Sequence, residues 1–250
     1  MNTALVSATQ PKKIALGLSG GVDSAVAAHL LVQAGHEVTA VYIECWNEPG
    51  CRAEQDKQDA LKIALQLGIP FKTLDFRAEY KQEVLGYFLR EYRAGRTPNP
   101  DVLCNKIIKF GLFYSWALNH GFAAIATGHY AQIIELPAAI QQVTQAEPLQ
   151  LAIGSDSHKD QTYFLNLLTA QQLGQIIFPL GELKKEEVRA LAETLKLPVA
   201  HKKDSTGICF IGEINVAAYL KEQLGEKPGQ VCDEAGHVLG SHRGIWFYTI

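Results

Sequence analysis

Short apolar runs alternate with amphipathic helical patterns through most of the chain. The runs at residues 13–18, 37–43, 71–76 and 122–127 are rich in strand-forming side chains and predict four strands, of which the last is expected to be buried. Helical patterns lie between them, at residues 22–34, 79–94 and 105–120 and around Ala60, Ile63, Ala64 and Leu67. This alternation predicts an α/β fold, with a mostly parallel sheet and helices on both of its faces.

The pattern changes in the second half. Residues 138–150 read as a polar insertion without a chemical signal, and a helix is predicted at residues 183–197. A short helix at 214–224 and turn-rich hairpin sequence follow, and the chain stops within the strand-like run WFYTI. We therefore expect one domain over residues 1–212 and an incomplete β-rich domain over residues 213–250.

Composition narrows the class of protein. Hydrophobic residues make up 47% and charged residues 20%, which is typical of a globular protein with a sizeable core. No apolar run approaches the roughly 20 residues of a membrane span, and residues 1–13 do not resemble a secretory signal. Five cysteines in such a chain favour a reducing, cytoplasmic location, and their spacing predicts no metal site. The net charge of −3 means that any nucleic acid would bind a local basic patch.

The segment SGGVDS lies between the first predicted strand and helix. Gly20 and Gly21 allow close approach of the backbone to an anion, and Ser19 and Ser24 add hydroxyl donors. Asp23 could hold a metal ion that accompanies phosphates. No lysine follows Gly21, so the loop differs from the common GxxxxGK[ST] phosphate loop. A purely structural helix-capping turn is the alternative interpretation.

The segment GRTPNPDVLCN contains a cysteine close to a helix start. Its prolines favour an extended approach, and Asp101 is a good N-cap for the helix that follows. This places Cys104 at the third helical position, where the helix dipole favours a thiolate, and places Asp101 where it can shuttle a proton. A buried cysteine in an ordinary capped helix fits the same pattern.

A second cysteine, Cys209, lies in KKDSTGICFIGE. It follows the glycine-containing run Ser205-Thr206-Gly207 and lies near Lys202 and Lys203, whose charge lowers a thiol pKa. The alternative is a cysteine that packs at the start of a strand.

Taken together, the motifs resemble the tRNA-specific 2-thiouridylase family. SGGVDS resembles the PP-loop of ATP pyrophosphatases. GRTPNPDVLCN, IKFG, ATGHY, KDQTYFL, FPLGEL, KKDSTGICFIGE and GSHRGIWFYTI follow it in the family's order. The resemblance implies an adenine nucleotide hydrolase-like domain, then a β-rich central domain and a C-terminal β-barrel, of which the barrel is absent here.

The resemblance also implies roles for matching positions. Cys104 would be the nucleophile and Cys209 the persulfide carrier, closing a transient Cys104–Cys209 disulfide. The residues implied in ATP binding are Gly17, Leu18, Ser19, Gly20, Gly21, Val22, Asp23, Ser24, Ile43 and Gly128. Those implied in binding tRNA are Asn99, Pro100 and Asp101 at the target base, and Lys159, Asp160 and Gln161 elsewhere.

The implied reaction is ATP-dependent thiolation of the wobble uridine in tRNAs for Lys, Glu and Gln. ATP, with Mg²⁺ as counter-ion, adenylates the C2 oxygen and releases pyrophosphate. Sulfur supplied by a cysteine desulfurase or a sulfur-relay protein then displaces AMP, either directly from the persulfide or as hydrogen sulfide. Two alternatives are a PP-loop synthetase that acts on a small molecule and a catalytically inactive tRNA-binding fragment.

Overall fold

A five-stranded parallel sheet is the centre of the computed structural model, which describes residues 10–47, 51–204 and 215–248. The strand order is β3-β2-β1-β4-β7. The strands are β1 (Lys13–Gly17), β2 (Glu37–Glu44), β3 (Phe71–Asp75), β4 (Ala124–Ala126) and β7 (Ile176–Ile177). Parallel strands need crossover connections, and the predicted helices supply them. The predicted fold class is therefore confirmed.

Helices connect these strands. They are α1 (Val22–Gln33), α2 (Ala53–Leu67), α3 (Arg77–Glu79), α4 (Gly86–Arg93), α5 (Pro100–Leu103) and α6 (Tyr114–Asn119). Two π-helical segments, Tyr80–Leu85 and Cys104–Phe113, join α3 to α4 and α5 to α6. The helices predicted at 79–94 and 105–120 therefore exist, but each begins earlier than expected and changes its hydrogen-bonding pattern along its length.

The second half contains smaller elements. β5 (Ala131–Glu135) and β6 (Leu149–Ile153) pair antiparallel on either side of α7 (Ala138–Thr144). The supposed polar insertion is therefore part of a folded two-stranded unit. The remaining elements are α8 (Ala170–Leu173), α9 (Lys185–Thr194), α10 (Val216–Leu224) and the antiparallel pair β8 (Gly229–Cys232) and β9 (Val238–His242).

The core lies on both faces of the sheet. Side chains alternate along a strand, so Ile14 and Leu16 of β1 pack into the cluster that contains α1. Ala15 belongs to the opposite cluster, with Val41 and the residues of the Cys104–Phe113 segment. Burial on both faces explains why the central strands are apolar throughout.

The C-terminal segment packs on α4 through a third, smaller cluster. Phe88, Leu220 and Trp246 are its buried members, and the indole of Trp246 donates a hydrogen bond to the Gly225 carbonyl at 3.2 Å. Within the ranges given above, no helix is long and apolar enough to cross a membrane.

Candidate functional site

The turn between β1 and α1 lies at the carboxyl edge of the sheet. Ser24 Oγ lies 3.2 Å from the Ser19 amide nitrogen and 3.1 Å from Ser19 Oγ, and it donates to the Gly21 carbonyl at 3.2 Å. Gly21 is the N-cap of α1 and supplies no capping side chain. The first amide groups of α1 therefore have no side-chain cap, an arrangement suited to an anion.

Two glycines bring backbone into close contact around this turn. Gly20 has a φ of +74°, and a Cβ there would lie 2.2 Å from the Asp56 carbonyl oxygen of α2. A Cβ at Gly128, which follows β4, would lie 2.8 Å from the Ser24 amide nitrogen. Neither position has room for a side chain, so the sequence ATGHY sits directly against the start of α1.

Asp23 is the charged residue of the turn. Its Oδ1 accepts a hydrogen bond from the Tyr130 hydroxyl at 2.8 Å and another from Lys185 Nζ at 2.6 Å. Burial, followed by the nearby charge of Asp23, raises the pKa of Tyr130, which keeps this hydroxyl protonated and donating.

Lys185 also contacts Asp204, which forms the centre of an ion-pair network. Asp204 accepts from Lys159 Nζ at 2.6 Å and Lys185 Nζ at 2.8 Å, and it also pairs with Arg189. Burial alone would raise the pKa of Asp204, but hydrogen bonds from Lys159 and Lys185 outweigh it, and the pKa lies below its ordinary value. The network therefore joins Asp23 of α1 and two residues of α9 to Asp204 of the KKDS segment.

Ile43 lies at the carboxyl end of β2, beside the turn. Val41 is the register partner of Gly17, and its carbonyl accepts a hydrogen bond from the Leu18 amide at 2.9 Å. Ile43 is two residues further along β2 and is buried in the cluster with Ala15. Its buried side chain therefore lies beyond the end of β1, among apolar neighbours.

The helix that carries Cys104 begins earlier than the sequence analysis predicted. Asn99, not Asp101, is the N-cap, because its side chain accepts from the amides of Asp101 at 3.1 Å and Val102 at 3.4 Å. Proline is favoured at the first helical position, which Pro100 occupies, so the cap falls one residue before it.

Cys104 accordingly lies one turn inside the helix rather than at its third position. It follows the four residues Pro100–Leu103, and its amide already bonds to the carbonyls of Pro100 and Asp101. Its side chain is fully buried, in the same cluster as Ala15 and Ile43. The expected placement at the helix end was wrong, and the thiol lies beneath the surface of the site.

The two segments implied in tRNA binding are neighbours. The helical turn Thr162–Phe164 contacts α5, and burial, followed by the nearby charges of Asp101 and Asp160, raises the pKa of Tyr163. Gln161 accepts from the Tyr130 amide at 3.0 Å, and Asp160 caps the turn through Thr162. Lys159 pairs with Asp204.

Cys209 lies outside the described residues, and so does the proposed Cys104–Cys209 pairing. Among the cysteines that the structure describes, Cys45, Cys51, Cys104 and Cys232 form no disulfide with one another. Across the same part of the chain, no three metal-binding side chains of the His, Cys, Asp and Glu types cluster together.

Sequence reasoning missed Lys185, Tyr130 and Asp204 as site residues. Tyr130 stands inside ATGHY, and Lys185 follows FPLGEL, so both lie in or beside motifs that were recognised. Nothing in the local pattern pairs Lys185 with Asp23, because the two residues are 162 positions apart.

The parallel sheet, the glycine turn and the uncapped start of α1 define a nucleotide-binding α/β domain of the PP-loop, or HUP, type. The family model for the tRNA methyl transferase HUP domain matches residues 12–213, and that for the tRNA methyl transferase PRC-barrel domain matches residues 217–250. The chain therefore belongs to this family.

Curated relatives carry a more specific name. The chain is 46% identical to the tRNA-specific 2-thiouridylase MnmA of Akkermansia muciniphila, over 95% of this chain and 66% of the relative. It is 48% identical to MnmA 1 of Geobacillus kaustophilus, over 96% of this chain and 63% of the relative. The chain thus spans just under two thirds of the length of these relatives.

A solved structure shares the fold. The U34-tRNA thiolase NcsA from Methanococcus maripaludis, described with its [4Fe-4S] cluster, superimposes with a TM-score of 0.50 and 25% sequence identity. The match covers 87% of this chain and 68% of that one.

Proposed function

We propose that the chain forms the ATP-binding and sulfur-transferring part of a tRNA 2-thiouridylase. The observation that carries this proposal is the glycine-lined turn at the uncapped start of α1, where Gly20 and Gly128 leave room only for backbone. The identity with the MnmA relatives supports tRNA uridine, rather than a small molecule, as the acceptor.

ATP is the proposed first substrate, bound by Gly17–Ser24, with Ile43 on the adenine side and Gly128 beside the nucleotide. The amides at the uncapped start of α1 would hold phosphate oxygens, and the Ser19 hydroxyl adds a donor. Asp23 fits a Mg²⁺ ion that travels with ATP, since both of its described hydrogen bonds use Oδ1. One carboxylate together with substrate phosphates is a common Mg²⁺ ligand set.

The wobble uridine of tRNA is the proposed acceptor, with tRNAs for Lys, Glu and Gln as substrates. Asn99, Pro100 and Asp101 would contact the base, while Lys159, Asp160 and Gln161 contact other parts of the tRNA. The base must leave its stack, because its C2 atom is inaccessible within one. The contact between α5 and Thr162–Phe164 supports a continuous surface for these two segments.

The chemistry has two stages. The uridine C2 oxygen attacks the α-phosphorus of ATP, so that pyrophosphate leaves and the oxygen carries AMP. The terminal sulfur of a Cys209 persulfide then bonds to C2, and AMP leaves with the original oxygen. The Cys104 thiolate finally attacks Cys209 Sγ, which forms a Cys104–Cys209 disulfide and releases 2-thiouridine. Asp101 would accept and return protons nearby.

Two partners complete this cycle. A cysteine desulfurase or sulfur-relay protein loads Cys209, and a cellular reductant reopens the disulfide, which suits a cytoplasmic location. The burial of Cys104 implies that the site opens before the thiol reacts. We also propose that residues 1–212 form the catalytic unit and residues 213–250 begin the β-rich unit.

Product analysis tests the proposal. With tRNA present, the wild-type protein should convert ATP to AMP and pyrophosphate, and Asp23→Ala should abolish pyrophosphate release. Release of ADP and phosphate would overturn the PP-loop chemistry. Pyrophosphate release that depends on a small amide acceptor instead of tRNA would favour the synthetase alternative, and tRNA binding without ATP turnover would favour the inactive fragment.

A further inference from the structure

The turn that holds the proposed ATP site contains no cationic side chain of its own. Residues 17–24 read GLSGGVDS, and their charged member is the acidic Asp23. A bound triphosphate and a departing pyrophosphate both concentrate negative charge. Common phosphate loops neutralise such charge with a lysine that follows the last glycine. A side-chain cation at this site would therefore come from another part of the chain.

We propose that Lys185 supplies this cation and binds the pyrophosphate portion of ATP. This inference rests on the proposed function, because it assigns a further binding residue to the same site. Lys185 is the first residue of α9, and its amide donates to Asp156 Oδ2 at 2.8 Å, which fixes the start of that helix. From there its side chain reaches Asp23 at the start of α1.

Lys185 has a hydrogen-bond donor to spare. An ammonium group carries three N–H bonds. In the part of the chain that the structure describes, Lys185 Nζ has two carboxylate partners, Asp23 Oδ1 at 2.6 Å and Asp204 Oδ1 at 2.8 Å. Its side chain is 17% exposed, and Nζ lies 5.9 Å from the centre of the Tyr130 ring, a neighbour that does not use up an N–H as a third oxygen acceptor would.

The neighbouring Lys202 lacks that capacity. Its Nζ contacts the Gly20 carbonyl at 2.8 Å, Asp56 Oδ1 at 2.8 Å and Asp59 Oδ2 at 2.7 Å. These three acceptors use all three of its donors. Lys202 therefore fastens the turn, whereas Lys185 can bind a ligand.

The charges around Lys185 are balanced as long as no ligand is considered. Three cationic groups, those of Lys159, Lys185 and Arg189, lie among three carboxylates, those of Asp23, Asp156 and Asp204. If Asp23 held the Mg²⁺ ion of the nucleotide, Lys185 would lose one of its two carboxylate partners, and its ammonium group would be available to a phosphate oxygen. A charge-assisted hydrogen bond of this kind is among the stronger ones in proteins.

Calorimetric titration with ATP, pyrophosphate and AMP tests the assignment. Lys185→Met should weaken binding of ATP and of pyrophosphate by about tenfold to a hundredfold, the range expected for one charged hydrogen bond. Binding of AMP should change by less than about threefold. Lys184→Met removes the adjacent, exposed lysine of the same helix end and should leave all three affinities at the wild-type level.

A double variant distinguishes a direct loss of ligand binding from a folding defect in Lys185→Met. Lys185→Met combined with Asp204→Asn removes the charge imbalance that the single change creates, and it should lose pyrophosphate binding to the same extent. Wild-type pyrophosphate affinity in folded Lys185→Met, or equal losses for ATP and AMP, would overturn the role of Lys185 while the proposed function stands. A wild-type protein that binds none of the three probes would overturn both.

Discussion

Lys202 Nζ donates to the carbonyl oxygen of Gly20 at 2.8 Å, across 182 positions of sequence. The same ammonium group pairs with Asp56 and Asp59 of α2, so it joins the phosphate turn to the neighbouring helix. Burial would raise the pKa of Asp59, but the hydrogen bond from Lys202 lowers it below its ordinary value. Lys202 therefore ties the phosphate turn to α2 at the point where Gly20, with a φ of +74°, lies against the backbone of Asp56.

Replacement of Lys202 by methionine should destabilise the protein. The substitution leaves two partly buried carboxylates and one carbonyl without their cation, at an expected cost of about 2–3 kcal/mol. Urea unfolding at neutral pH measures the loss. Lys203→Met is the matched control, because this neighbour is exposed, and it should stay within about 0.5 kcal/mol of wild type. Equal stability of the two variants would contradict the role of Lys202.

A methyl group at Gly128 should push the ATGHY segment away from α1. Gly128→Ala places its Cβ 2.8 Å from the Ser24 amide nitrogen, and backbone cannot move aside as a side-chain tip can. We expect a stability loss of about 1–3 kcal/mol and weakened ATP binding. Gly174→Ala is the comparison, since its Cβ would meet only ordinary contacts from 3.6 Å outward. Unchanged ATP affinity in Gly128→Ala would contradict close packing at this point.

His129 should make the stability pH-dependent below neutrality. Burial, with a smaller effect from Lys109, holds its pKa well below the ordinary 6.5, so the folded protein keeps the ring neutral. As the pH falls below about 6.5, the His129 ring binds a proton in the unfolded chain, whereas in the folded protein it stays neutral. The free energy of unfolding therefore decreases, by up to about 1.4 kcal/mol per pH unit for this one group.

The substitution His129→Gln isolates that contribution. Unfolding free energies at pH 7.5 and 5.5 should differ less in this variant than in the wild type. The exposed His201 provides the control, and His201→Gln should retain the wild-type pH dependence. Identical pH slopes in all three proteins would show that His129 titrates normally.

Variants that lack Cys104 or Cys209 should fail at different steps of the reaction. With a desulfurase that carries labelled sulfur, Cys209→Ser should accept no label but still bind ATP and tRNA. Cys104→Ser should hold the label as a persulfide and stall before 2-thiouridine is released. Cys232→Ser changes an exposed cysteine and should thiolate tRNA normally. Label retained on Cys104 instead would reverse the assignment.

The sequence predicts β1 and β2 well because these central strands are buried on both faces. β1 and β2 end within one residue of their predicted bounds, and α1 ends one residue before its predicted end. β5 and β6 were not predicted because most of their side chains are only partly buried, so their hydrophobic pattern is weak. The two-residue strand β7 is too short to produce any pattern.

Some features of the candidate site can likewise be predicted from the sequence, whereas others depend on the tertiary fold. The glycine turn and the Cys104 helix are local features, and the turn can be predicted from its residues alone. Asn99 and Asp101 are both residue types that cap helices, and they lie within three positions of each other. Asn99 is the N-cap because Pro100 favours the first helical position. The contacts of Asp23 with Tyr130 and Lys185 join distant segments, so only the tertiary fold reveals them.

The long separation between Asp23 and Lys185 has a consequence during synthesis. A ribosome that adds roughly 5–20 residues per second needs about 8–30 s to pass through the 162 positions between them. For that interval the nascent chain contains the glycine turn without its lysine partner. The positive charge of Lys185 therefore reaches the proposed nucleotide site only after α9 has left the ribosomal exit tunnel. By then all strands of the sheet that supports the turn have been synthesised.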